Sequence, residues 1–188
     1  MTSQDAVDAV DTVVGEITQV LGKVGRSGIA ALVERLATAK RVFVVGEGRS
    51  GLIGKAFAMR LMHLGLTVYV VGETITPSVA AGDTVVVISG SGTTPGSVRA
   101  AETARRIGAA VHVVTTDPGS RLGELADQTL ILPAATKYRR SDEAPTAQPL
   151  SSLFDQVAHI VLDVVCLRLA TRREIDNQTA RSAHSNTE

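Results

Sequence analysis

Two short stretches carry residue types that could hold an anion. In Ser89-Gly90-Ser91-Gly92-Thr93-Thr94, hydroxyls alternate with glycines directly after the apolar run 85–88 and directly before Pro95, which opens a helical repeat of Val98, Ala101 and Ala104. Gly90 and Gly92 give the backbone the freedom of a tight loop. A loop that runs into a helix N-terminus presents free N–H groups and the positive end of the helix dipole. Ser89, Ser91 and Thr94 add hydroxyl donors that suit phosphate oxygens. The plainer reading of the same residues is a Ser/Thr-rich turn with an ordinary cap.

The second stretch, Gly46-Glu47-Gly48-Arg49-Ser50-Gly51, spells G-x-G-x-x-G, and an acid, Glu73, follows the next strand-like run. That is the outline of a dinucleotide site. The spacing fits poorly, because Glu73 lies about 27 residues past Gly46 where about 20 past the motif is usual. A nicotinamide enzyme also has no use for a second hydroxyl-rich loop, whereas two loops converging on one terminal phosphate account for both stretches. The sequence favours a phosphorylated small molecule over NAD. Arg49 stands where it could neutralise phosphate charge, and Glu73 and Thr76 border the same crevice within reach of sugar hydroxyls. Lys137 is a weaker candidate, and Lys55 reads as solvent-facing.

Five further side chains invite a chemical reading. Asp155, His159 and Asp163 recur at i, i+4 and i+8 and share a helical face. They suit either a metal or a polar strip, and since no other cluster supplies ligands, the strip is preferred and no metal is expected. His63 ends a helical run, where a histidine is favourable at the negative end of the dipole. Cys166, the one cysteine, lies in an apolar helical run and reads as a small buried hydrophobe.

These residues must be positioned by an α/β scaffold. Strand-like runs at 41–46, 67–72, 84–89, 110–115 and 129–132 alternate with helical patterns, and their continuous apolar character implies a parallel sheet covered on both faces. Ligands of such sheets bind at the strands' C-terminal ends. A helical hairpin precedes the sheet, its second helix capped by Ser27, and Gly65 is the expected stop of the helix that begins near Ser50. Residues 133–149 are polar and aperiodic, read as a functional loop or merely a mobile one. A long helix follows, and the polar tail from about Asp176 is expected to be disordered. The expected division is a helical extension over 1–38, the α/β domain over 39–172 and a polar tail over 173–188.

Composition narrows the classes. Lys+Arg and Asp+Glu each number 19 and aromatics make up 3% of the chain, so there is neither a basic footprint nor a stacking platform for nucleic acid. No apolar run reaches membrane-spanning length, the N-terminus lacks a signal-like pattern, and a reducing, cytoplasmic setting is expected.

Taken together, residues 45–77 (VGEGRSGLIGKAFAMRLMHLGLTVYVVGETITP) and 82–98 (GDTVVVISGSGTTPGSV) closely resemble the sugar isomerase (SIS) domain, specifically the 6-phospho-3-hexuloisomerases. The resemblance spans about residues 40–170. It implies a flavodoxin-like α/β fold with a five-stranded parallel sheet, and interconversion of 3-hexulose 6-phosphate and fructose 6-phosphate in formaldehyde assimilation. It further implies that Ser50, Ser89, Ser91 and Thr94 hold the sugar phosphate, with Gly48, Arg49, Gly90 and Glu73 alongside. The reaction it implies passes through a cis-enediol without a redox cofactor. The family's base is a Glu in a segment like SLFEQ; this chain carries Asp155 there, one methylene shorter. His63 resembles the histidine that assists ring opening or proton transfer in phosphosugar isomerases. Because Ser50 and His63 stand about 20 Å apart along one helix at 1.5 Å per residue, His63 is expected to serve a neighbouring subunit's site in a homo-oligomer. The alternatives are another aldose–ketose phosphate isomerase, such as one acting on arabinose 5-phosphate, and a non-catalytic sugar-phosphate sensor.

Overall fold

In the computed structural model, which describes residues 3–186, the apolar runs pair into one parallel sheet. Its strands are β1 (Val42–Gly46), β2 (Val68–Val70), β3 (Thr84–Ile88), β4 (Ala110–Thr115) and β5 (Gln128–Ile131), in the order β2-β1-β3-β4-β5. The register sets Val44 beside both Val70 and Val86, and Gly46 beside Ile88. The chain leaves β1 toward one edge and returns through β3 toward the other, so the winding reverses between these two strands. A crevice must open at their C-terminal ends.

Alternate strand residues feed two cores. Val42, Val44, Val86 and Ile88 face a layer built by α1 (Ser3–Lys23), α2 (Arg26–Thr38), α3 (Gly48–His63) and α6 (Ser152–Arg172), with Leu36, Phe57, Leu61, Phe154 and Val165 at its centre. Phe43, Val45, Val85 and Val87 face α4 (Pro95–Ile107) and α5 (Arg121–Leu125) through Ala101, Ala104 and Leu122. Burial on both faces is why the strands read as unbroken apolar runs rather than alternating ones.

Local signals set most boundaries. α3 stops in a Schellman arrangement, with Gly65 at φ +75°, its N–H on the Met62 carbonyl and the Leu66 N–H on the Leu61 carbonyl. Two expectations need correction. The cap of α2 is Gly25, in extended backbone, and Ser27 lies inside the first turn. The tail is not without structure: Asn177–Ser182 form α7, started by the Asp176 carboxylate accepting from the Thr179 N–H at 2.7 Å. No helix among the described residues is long and apolar enough to cross a membrane.

Candidate active site

The crevice between the ends of β1 and β3 is a cleft of about 250 Å³. Its floor is the loop after β3. Gly90 is held by three bonds to its carbonyl, from the Thr115 hydroxyl and from the Thr116 N–H and hydroxyl, which fix the loop to the end of β4. Gly92 takes φ +65°, and a Cβ there would lie 1.9 Å from Ser120 Oγ. Only glycine fits. The hydroxyls of Ser89 and Thr94 pair at 3.0 Å, so Thr94, although it is the N-cap of α4, does not cap that helix with its side chain. The first turn of α4, which opens with Pro95, is thus left without a side-chain cap beside the cleft. The end of β1 delivers α3 in the same way, with Glu47 as an N-cap that makes no side-chain cap bond. Two helix N-termini and the hydroxyls of Ser89, Ser91 and Thr94 therefore border one cavity, a setting for a doubly charged phosphate.

Opposite the loop stands Asp155, in the first turn of α6 and 3% exposed. The Ser50 hydroxyl donates to its Oδ1 at 2.9 Å, and Arg49 Nε lies 3.5 Å from Oδ2. Burial pushes the Asp155 pKa above the usual aspartate value, and the Ser50 hydrogen bond and the Arg49 charge only partly offset it. A carboxylate of raised pKa at the edge of a phosphate cleft is equipped to take and return a proton.

Of the residues singled out from sequence, Gly48, Arg49, Ser50, Ser89, Gly90, Ser91, Thr94 and Asp155 all line this cleft, as does Lys137. Ser50 differs in what it does: its hydroxyl proton is committed to Asp155, so it ties that carboxylate to the start of α3 rather than standing free. Glu73 is not brought in. β2 lies on the far side of β1, so its turn leads away from the β1–β3 crevice; Glu73 pairs with Lys55 at 3.1 Å over a separate cleft beside Met59 and Ile75. Thr76 is likewise spent, donating to the Val70 carbonyl at 2.5 Å.

His63 also lies outside its own protomer's cleft. It closes the opposite end of α3, 5% exposed, its ring stacked on His184 with centroids 5.2 Å apart. Burial, with Arg60 and His184 nearby, lowers its pKa, so the ring is neutral at pH 7. His159 pairs with Asp163 at 3.5 Å on the surface and does not reach Asp155's partners. Cys166 is buried, and its thiol is pushed up to about 12, first by burial and then by Asp163. Sequence reasoning missed Glu47, Leu150, Ser151 and Ser152, which complete the cleft wall. For Glu47 a signal existed, since it occupies the variable position inside the first glycine turn.

Fold and cleft together define a doubly wound α/β protein with an anion site and a buried acid at the switch point. Comparison with known proteins agrees: residues 35–162 match the SIS domain. The chain is 40% identical over 188 residues to the 3-hexulose-6-phosphate isomerase of Mycobacterium gastri, covering all of this chain and 94% of that protein. It is 37% identical over 157 residues to the 3-hexulose-6-phosphate isomerase of Bacillus subtilis, covering 84% and 85%. A crystal structure from Methanococcus jannaschii, described as inferring a molecular function of 3-hexulose-6-phosphate isomerase, superposes with a TM-score of 0.83 at 32% identity, covering 96% of this chain and 99% of that one. The chain belongs to the SIS domain family.

Proposed function

We propose that this protein is a 3-hexulose-6-phosphate isomerase, interconverting 3-hexulose 6-phosphate and fructose 6-phosphate. The observation that carries the reading is Asp155, buried and oriented by Ser50 and Arg49 at the rim of a cleft whose other wall is the Ser89–Thr94 loop. The phosphate sits on that loop and on the N-termini of α3 and α4, which fixes the sugar chain along the cleft toward Asp155. Asp155 then removes the carbon-bound proton from C2 of the 3-ketose. The resulting cis-enediolate carries its charge on oxygen, beside Arg49, and Asp155 returns the proton to C3 while the hydroxyl proton moves between the two oxygens. Electrons stay within the substrate, so the chemistry calls for no redox cofactor.

A cytoplasmic homo-oligomer completes the reading, with residues 39–172 as the catalytic unit. The outer face of α3 exposes Leu52, Met59 and Met62, and Ile75 beside it is 86% exposed. A second protomer seated on this apolar face lies alongside His63 and brings it within reach of another cleft once His184 is displaced. Mixed oligomers of His63→Ala and Asp155→Asn protomers are expected to recover turnover that neither variant has alone. Mixtures as inactive as their parents would remove His63 from the mechanism. For the ligand class, fructose 6-phosphate is expected to raise the melting temperature by several degrees at millimolar concentration and NAD to leave it unchanged. The reverse pattern would return the first glycine turn to the dinucleotide reading.

A further inference from the structure

The cleft wall formed by Lys137, Leu150 and Ser151 belongs to a long segment between β5 and α6 that has neither helix nor strand. Glu143 holds Thr136, and Arg140 reaches Asp117 and the Ser91 carbonyl; two further clasps hold the rest. Within the segment, Arg139 donates to the carbonyls of Thr136 at 2.5 Å, Leu150 at 2.9 Å and Gln148 at 2.5 Å, drawing the two limbs together, while the Lys137 N–H reaches Ser151 Oγ at 3.0 Å. From outside it, a single side chain of α1 takes the turn: Glu16 Oε2 accepts from the Thr146 hydroxyl at 2.5 Å and the Gln148 amide at 3.0 Å, and Oε1 accepts from the Ala147 N–H at 2.7 Å.

The segment is held against its own preference. Arg139 and Leu150, one in each limb, have φ of +47° and +52°, a left-handed conformation that costs a side chain about 1–2 kcal/mol. Leu150 is also 71% exposed, so burial of its side chain does not secure that conformation. The Arg139 bonds to Gln148 and Leu150 and the Glu16 bonds to 146–148 do. Burial alone would raise the Glu16 pKa; the donors Thr146, Ala147 and Gln148 and the charge of Arg139 outweigh it and hold the carboxyl below the ordinary glutamate range. The anchor is therefore charged throughout the neutral range.

We propose that Glu16 is a positioning residue for the isomerase cleft: from α1 it anchors the strap 136–151 and so sets where Lys137, Leu150 and Ser151 meet the phosphosugar. This rests on reading the cleft as the substrate site. Without the anchor the strained strap relaxes away from the cleft, and ground-state contacts are lost before the chemistry of Asp155 is touched.

The test combines kinetics with hydrogen exchange on the full chain. Glu16→Ala is expected to raise KM for fructose 6-phosphate about tenfold with kcat within about twofold, and to speed amide exchange across 137–151 while leaving 84–94 unchanged. Glu16→Gln behaves like Ala, because its amide NH₂ confronts a donor. Thr146→Val is expected to raise KM alone but add nothing in the Glu16→Ala background, a coupling that a merely destabilised helix would not produce. Unchanged KM in a folded Glu16→Ala protein overturns the proposal, whether or not exchange rises, and so does an additive cycle. If the wild-type protein shows no isomerase turnover, the functional reading fails separately; unaltered exchange in 137–151 would still refute the anchor.

Discussion

Asp155→Asn is expected to cut turnover by about 10²–10⁴, the usual contribution of a positioned base, and to leave fructose 6-phosphate binding within a few fold. The Ser89–Thr94 loop and the start of α4, where the phosphate is proposed to sit, make no bond to Asp155, whose partners are Ser50 and Arg49. The same variant is expected to be more stable at neutral pH. Burial raises the Asp155 pKa in the fold above its value in the unfolded chain. Below the ordinary aspartate value both states are protonated and the group contributes nothing. As pH climbs through the window up to the folded pKa, the native state holds a proton that the unfolded state has released, so stability falls and the deficit persists at pH 7. Asparagine, uncharged in both states, removes that deficit. The melting temperature should rise at pH 7, by about 2–4 °C for each kcal/mol recovered, and not below the ordinary aspartate range. Arg49→Gln takes away one of the two influences that lower the Asp155 pKa, so the acid limb of kcat/KM should move to higher pH. A limb that stays in place, or moves down, separates Asp155 from the base.

Gly92→Ala should be severely damaging. At φ +65° any side chain is strained, and the added methyl meets Ser120 Oγ at 1.9 Å, Ser120 Cβ at 2.4 Å and Thr115 Oγ1 at 3.1 Å. Ser120 cannot simply swing away. It is 5% exposed, donates to the Asp117 carbonyl at 2.6 Å and accepts the Gly123 N–H that starts α5. Strain, clash and a lost cap add to a cost on the order of 3 kcal/mol, or about 6–12 °C in melting temperature. Because Ser91 and Thr94 flank the displaced residue, KM should also rise by at least about tenfold. Gly15→Ala is the control: on α1 nothing lies within 4 Å of its added Cβ, and helix propensity predicts a stabilisation of up to about 1 kcal/mol. Equal melting temperatures for the two variants would contradict the packing described for the loop.

The contrast between these loops and the strap also explains what the sequence could reveal. Ser89–Thr94 and Gly48–Ser50 are legible because each cleft-lining unit is local: strand, glycines, hydroxyls and helix start follow one another along the chain. The five strands are legible for a related reason, since burial on both faces writes an unbroken β-branched run. The place of Glu73 is not legible, because local sequence does not tell which side of β1 the edge strand takes. The order of 133–149 is not local either: it depends on Glu16, which precedes it by about 130 residues, and on Arg140 reaching Asp117 and the Ser91 carbonyl. The commitment of the Ser50 hydroxyl to Asp155, 105 positions away, is another long-range fact that no spacing rule contains.

An aspartate at 155, one methylene shorter than the glutamate the family resemblance implies, must be brought to the substrate by its surroundings. Ser50 and Arg49 hold Asp155 from two directions, and the start of α6 carries it at the cleft wall. The most direct measurement is a coupled assay in which ribulose 5-phosphate and formaldehyde are condensed by a separate hexulose-phosphate synthase and fructose 6-phosphate is read with and without this protein. Fructose 6-phosphate formed at enzyme-like rates, and lost with Asp155→Asn, is the predicted result. No formation above the synthase alone, with fructose 6-phosphate still raising the melting temperature, would contradict it and leave a sugar-phosphate-binding protein in place of the isomerase.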